Sequence, residues 1–218
     1  NRNSLHDARL WTIKNRALVP AAERDLWIPN RKAFTQRELR KIGTVRIINI
    51  DALKFVEQVA GMYDVVILDF PDPNAPELAK LYSKSFYALL RKKISAGGIM
   101  VQQATSPYYA KEAYLNIGRT LESAGLAVVP YHDTVPSMGD WGFWLAADKV
   151  WVTKAGLKAR LRRIEQDLLV ATRYLTKNRI EASLAFGSGQ LQSDNTDINT
   201  ITSAVVYEYY RQGWEKYF

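Results

Sequence analysis

Hydrophobic positions along this chain alternate between two kinds of grouping. TVRIINID (44–51) is rich in β-branched residues and reads as a strand ending at Asp51. ALKFVEQVA follows with Leu53, Val56 and Ala60 at helical spacing. VVIL (65–68) is a continuous apolar run, the pattern of a central parallel strand covered on both sides. Residues 81–93 fit a helix that turns Leu81, Phe86, Leu89 and Leu90 inward and ends in Arg91, Lys92 and Lys93, where cations suit the helix dipole. SAGG (95–98) marks a stop and turn, and IMVQQ (99–103) another strand. Residues 110–123 are helical, with Gly125 placed to end that helix. LAVVPYH (126–132) and GFWLAA (142–147), joined by DTVPSMGDW, predict an antiparallel pair. Strand and helix thus alternate from 44 to 147 and close on a hairpin, which predicts an α/β fold with an open, mostly parallel sheet.

The flanks follow other patterns. Residues 11–43 are basic and interrupted by proline, and read as an excursion. Beyond 148 the chain is helical: Thr176 caps a helix running to Phe186, GSGQLQSDNTD (187–197) is a polar loop, and residues 203–214 repeat Val206, Tyr210 and Trp214 as a packing stripe. The expected division is a partial N-terminal segment (1–43), a catalytic α/β domain (44–147) and a helical extension (148–218).

Composition narrows the chemistry. With no cysteine there is no disulfide framework and no thiolate metal site, and His6 and His132 stand in no metal-ligand spacing. Thirty basic against 22 acidic residues give a net charge of +8, concentrated at 31–41 and 154–163 without the interleaved aromatic residues of a base-stacking surface. Nucleic acid is therefore not an expected partner. No apolar run is long enough to span a bilayer, and no signal peptide opens the chain.

The candidate chemistry lies in YDVVILDFPDPN (63–74), where a strand ends in Asp69 and Asp72 among prolines. In open α/β sheets ligands sit beyond the carboxyl ends of strands, so Asp51, Asp69 and Gln103 are expected to open onto one crevice. Pro71, Pro73 and Pro76 stiffen the loop. Two carboxylates there serve a divalent cation, a shared proton or a cationic ligand, or else only cap the next helix and bond loop amides. A dicationic amine fits the third use, since a carboxylate can take its proton and free a nucleophile. His132 and Trp141 read as structural residues; Tyr108 and Tyr109 either line the channel or cover the sheet.

YDVVILDFPDPN, LYSKSFYALL, AGGIMVQQATSPYY and VPSMGDWGF together resemble the spermidine synthase (polyamine aminopropyltransferase) family, well over 44–147 and moderately over the tail. DFPDPN, the spacing to KLYS and NTITSAVVYEYYRQGW look most like its membrane-anchored bacterial subgroup. The resemblance implies a Rossmann-like, methyltransferase-type fold and transfer of an aminopropyl group from decarboxylated S-adenosylmethionine to putrescine, with no metal and no cofactor. It matches Asp69 to the proton acceptor, Asp72 to the carboxylate that holds the polyamine, Asp51 with Ala52 to the adenine-reading pair, Pro76 to the loop over the adenine and Gln103 to the channel glutamine. Met138 stands where the family usually has an aromatic residue. The implied partners are a diamine and a nucleoside, a possible second copy of the chain, and a parent protein anchored at the inner membrane.

The family's glycine-rich loop and its ribose-binding acid do not appear, so the expectation is half a nucleoside pocket, a rim strand with exposed apolar surface, and no activity from residues 1–218 alone. Two alternatives stay open: a methyltransferase using S-adenosylmethionine, and a non-catalytic polyamine-binding module.

Overall fold

In the computed structural model, residues 12–14, 44–46, 48–167 and 174–217 are described, with the side chains of 12–14, 44–46 and 164–167 excepted. Strand β1 (Thr12–Lys14) pairs antiparallel with β2 (Thr44–Arg46) in a small sheet of its own. The strand expected over 44–51 is therefore short, and Asp51 sits beyond it rather than at its end. The rest of the basic excursion, including 31–41, lies outside the described residues.

Helix α1 (Ala52–Gln58) follows, then β3 (Tyr63–Leu68), a four-residue helix α2 (Pro76–Ala79) running into a single 3₁₀ turn (Lys80–Tyr82), and α3 (Lys84–Arg91). Next come β4 (Ile94–Gln103), α4 (Lys111–Ser123), and the hairpin β5 (Leu126–Val135) and β6 (Gly139–Asp148). Three helices follow among the described residues: α5 (Lys154–Asp167), α6 (Lys177–Ser183) and α7 (Val205–Trp214).

The main sheet has the order β3-β4-β6-β5. β3 and β4 are parallel, and β6 is antiparallel to both β4 and β5, so the expected α/β class with a terminal hairpin is found, its parallel part being one pair among the described strands. The hairpin is longer than expected: most of DTVPSMGDW is strand, leaving only Pro136 to Met138 as turn. SAGG does not end the preceding element before a strand begins. It is a bulge inside β4, where the partner of Tyr63 is Ile94 but the partner of Val65 is already Ile99.

Helix starts follow their caps. Ser83 opens α3 by accepting from the Phe86 amide at 3.2 Å, and Thr176 opens α6 from Arg179 at 3.2 Å. Gly125 takes φ +91° just past α4, as its position predicted. α1 buries Ala52, Phe55 and Val56; Ala60 is exposed beyond its end, because the helix stops at Gln58.

One sheet face carries the main core, in which Val66, Leu68, Met100 and Ala146 meet Phe86, Leu90, Ile117 and Val206. On the other face α5 covers the hairpin, with Leu157 among Val129, Leu145 and Ala147, and Ile99 and Val101 of β4 pack against the edge of this cluster. β3 is consequently one-sided: Val65 and Ile67 are 55% and 58% exposed, against 7% and 0% for Val66 and Leu68. Among the described strands the VVIL run is the last of the sheet, where a central strand was expected. An unbroken apolar run signals two covered faces, and the described residues cover only one of them.

Candidate functional site

The loop after β3 is shaped by what it must bury. Phe70 is 3% exposed and packs edge-on against Tyr82 and Phe86, with ring centroids 6.2 and 5.7 Å away. Inserting Phe70 sends its neighbour Asp69 to the opposite side. Tyr82, fully buried, donates its hydroxyl to the Pro71 carbonyl at 2.8 Å, and the Asn74 amide closes a turn on the Asp72 carbonyl at 2.6 Å. Pro71 and Pro73 fix two φ angles between these anchors.

Asp69 and Asp72 line the same cavity, of about 770 Å³, at the carboxyl ends of β3 and β4. Ile67, Val101, Gln103, Tyr131, Met138, Trp141, Phe143 and Tyr210 form its other walls. Tyr131 stacks on Phe143 with centroids 5.1 Å apart, and burial pushes its hydroxyl up to about 12. The apolar walls suit methylene groups, and the acidic rim suits their charged ends.

The two carboxylates differ in how they are held. Asp72 accepts from Gln103 Nε2 at 2.9 Å. The backbone carbonyl of Gln103 accepts from Gln102 Nε2 at 2.7 Å, while Gln102 Oε1 accepts from the buried Tyr87 hydroxyl at 3.2 Å. The hydroxyls of Thr105 and Tyr210 stand beside the same carboxylate. Burial raises the Asp72 carboxyl above the ordinary aspartate range, and Gln103, Thr105 and Tyr210 pull the other way without cancelling it. Asp69 is exposed to the cavity and makes no hydrogen bond among the described residues. Gln103 Oε1 is a buried acceptor with no partner among them.

Thr105 has φ +58°, a left-handed conformation that costs a β-branched residue about 1–3 kcal/mol. It is held there by the hairpin: the Gly142 amide donates to the Thr105 carbonyl at 2.7 Å and the Ala104 amide donates to the Gly142 carbonyl at 2.9 Å. A Cβ on Gly142 would lie 2.5 Å from the Tyr114 ring and 3.0 Å from the Thr105 carbonyl, so glycine lets the strands come this close. Strain is thus maintained beside Asp72.

Asp51 stands elsewhere. Its Oδ1 accepts the Leu53 and Lys54 amides at 3.0 and 3.1 Å, capping α1, and its Oδ2 accepts Lys80 Nζ at 2.8 Å. Burial alone would raise its carboxyl, but the Lys80 and amide bonds and the Lys80 charge outweigh that and lower it. Asp51, Ala52 and Pro76 are not among the lining residues, so of the three strand-end residues expected in one crevice only Asp69 and Gln103 meet there. Ala52 is buried under the start of α1, and Pro76 is exposed at the first position of α2.

Two lining residues were read from the sequence as packing. Trp141, 7% exposed, walls the cavity from β6, and Tyr210 reaches it from α7. A helical stripe is normally core, so Tyr210 carried no signal of its own. Tyr108 and Tyr109 are not lining residues; they pack with Trp214 and Tyr217, Tyr109 stacking on Trp214 at 5.1 Å. His132 is structural, with Nδ1 2.6 Å from Asp140 and Nε2 2.7 Å from the Ala185 carbonyl. Among the described residues no group of three or more His, Cys, Asp or Glu side chains lies close enough to hold a metal ion.

Comparison with known proteins adds to this geometry. The domain model described as Spermine/spermidine synthase domain matches residues 31–154. A polyamine aminopropyltransferase of Oceanobacillus iheyensis is 35% identical over 179 residues, covering 79% of this chain and 32% of that protein. Polyamine aminopropyltransferase 1 of Streptomyces coelicolor is 34% identical over 194 residues, 86% of this chain and 35% of that protein. The chain therefore spans about a third of the length of these curated relatives. A crystal structure of spermidine synthase in complex with the transition state analogue AdoDATO superposes with a TM-score of 0.53 at 19% identity, over 67% of this chain and 50% of that one, a likeness of fold.

Proposed function

Because the chain belongs to the spermine/spermidine synthase family, we propose that its cavity is the amine site of a polyamine aminopropyltransferase. The observation that carries this reading is that Asp69 and Asp72 face one apolar-walled cavity, instead of tying down their own loop. The substrates are putrescine and decarboxylated S-adenosylmethionine, the latter a co-substrate; no metal or cofactor takes part.

Asp72, oriented by Gln103, pairs with one ammonium group of the diamine. The unpartnered Gln103 Oε1 is a further acceptor for its N–H groups. Asp69, exposed to the cavity and not engaged by described donors, takes the proton from the attacking nitrogen. An alkylammonium has a pKa of about 10, so at neutral pH almost no free amine exists without such a base. The nitrogen lone pair then forms a bond to the aminopropyl carbon next to the sulfonium. The carbon–sulfur bond breaks, its electrons return to sulfur, and neutral methylthioadenosine departs, leaving spermidine. The sulfonium is already a good leaving group, so orientation and the base are what the protein adds. Met138 replaces an aromatic wall with a flexible thioether that packs against the methylenes.

Asp51 and Ala52 are proposed to read the adenine and Pro76 to cover it. For that, Asp51 must exchange Lys80 for the adenine amino group. Because Asp51, Ala52 and Pro76 stand outside the cavity lining, a polyamine-binding module without turnover is the second reading. Incubating the intact protein with both substrates separates the two: methylthioadenosine and spermidine formation supports transfer, whereas diamine binding without product supports the module.

Membrane attachment is proposed from the likeness of the DFPDPN loop and tail to the anchored bacterial subgroup, although no helix among the described residues is long and apolar enough to cross a membrane. Self-association is proposed from the apolar residues β3 leaves exposed. Flotation with vesicles and light scattering test these two.

A further inference from the structure

The last helix lies outside the span matched by the family's domain model, yet it supplies a wall of the cavity. What fixes it there is Asn199, a fully buried side chain just after the polar loop 187–197. Asn199 Nδ2 donates to the Ala79 carbonyl at 2.8 Å, at the end of α2, the helix that follows the aspartate loop. Its Oδ1 accepts the Val206 amide at 3.3 Å, in the first turn of α7. Its backbone amide donates to Thr120 Oγ1 on α4 at 3.0 Å, and its carbonyl accepts the Lys84 amide at 2.9 Å, at the start of α3. One residue thereby ties α7 to α2 and α3, which follow the aspartate loop in the chain, and to α4. Val206, fully buried, adds the apolar half of the joint.

From this anchor α7 runs one and a half turns to Tyr210, which faces the cavity beside Asp72. We propose that α7 is a working part of the amine site: Asn199 docks the helix, and Tyr210 positions Asp72 by donating its hydroxyl to the carboxylate. A donor there favours the charged form and fixes its direction, which a cation receptor in a half-buried pocket requires. Burial raises the Asp72 carboxyl, and the Tyr210 hydroxyl, with Gln103 and Thr105, acts against that rise without cancelling it. Tyr210 is on this account a positioning residue, and the inference rests on the reading of the cavity as an amine site.

The test is Tyr210→Phe, which keeps the ring, with Tyr207→Phe on the same helix as control. The Asp72 carboxyl is titrated by carbon-13 NMR in the 218-residue chain, its signal assigned by its loss in Asp72→Asn. The expected result is an upward shift of the Asp72 midpoint in Tyr210→Phe and none in Tyr207→Phe. In the intact protein the KM for putrescine rises about tenfold, as for loss of a hydrogen bond to a charged group, with a smaller change in kcat and with the acid limb of kcat/KM moved to higher pH. An unchanged Asp72 midpoint in a folded Tyr210→Phe chain overturns the proposal. If the intact wild-type protein makes no methylthioadenosine while the midpoint still moves, the aminopropyl-transfer reading fails and the positioning role of Tyr210 stands.

Discussion

Asp72 and Asp51 are both partly exposed aspartates near the start of a helix, and the structure treats them in opposite ways. Asp51 is already neutralised: two backbone amides and the Lys80 ammonium take its oxygens, and its carboxyl lies below the ordinary range. Asp72 receives only neutral donors, is desolvated by the cavity, and lies above that range. Its charge lacks a counterion among the described residues. A cationic ligand therefore gains most at the 69–74 loop and little at the 51–54 cap, where it would have to displace Lys80. The contrast separates the proposed receptor for a charged amine from a residue that caps a helix.

The largest expected effect lies on the receptor side. Asp69→Asn removes the proposed proton acceptor, and at neutral pH the turnover of the intact protein should fall by about 10²- to 10⁴-fold with putrescine still bound, as rapid-quench assays for methylthioadenosine would show. Asp72→Asn should weaken diamine binding by roughly 10- to 100-fold in calorimetry. The same substitution should raise the thermal midpoint of the empty chain at neutral pH. A carboxyl whose folded value is raised contributes stability below its unfolded value and loses it as pH rises through the folded one, so at neutral pH the Asp72 charge is a burden on the fold. A lower midpoint in Asp72→Asn would reverse the contrast with Asp51.

Smaller effects sharpen it. Asn199→Ala removes one donor to the Ala79 carbonyl and the side-chain acceptor of the buried Val206 amide, at a cost of about 1–3 kcal/mol, read from urea unfolding. Asp51→Ala removes a helix cap and should cost about 1 kcal/mol in the same measurement. Its pH signature has the opposite sign: with the folded carboxyl lowered, the contribution of Asp51 is present above the unfolded value near 3.8 and is lost as pH falls through the folded one. The difference in stability between the wild type and Asp51→Ala should therefore shrink below that pH.

What the sequence revealed of this site follows from which signals are local. Asp69 and Asp72 were legible because a buried strand that runs into prolines and carboxylates has few structural reasons to do so. Gln103 was legible because it ends the neighbouring strand. Asp51 was placed in the wrong setting because TVRIINID reads as one strand; only Thr44–Arg46 pairs, and the aspartate serves the helix after it. Val65 and Ile67 look central by pattern, since an apolar run does not encode which of its faces a neighbour covers. Tyr210 and Trp141 were hidden for another reason. Their side chains do pack, in a helical stripe and a hairpin, and only the fold shows that the far side of each is a cavity wall. Asn199 was not singled out because its partners at Ala79, Thr120 and Val206 are set by tertiary contact, including one 120 residues away in the chain.

The central claim is that Asp69 strips a proton from a bound ammonium, and the pH dependence of single-turnover product formation in wild type and Asp69→Asn tests it most directly. Free amine becomes abundant as pH approaches about 10, so the need for a base fades there. The account predicts a wide gap between the two proteins at pH 7 that closes steadily toward pH 10. A gap that stays constant across this range, or no gap at pH 7, would contradict it.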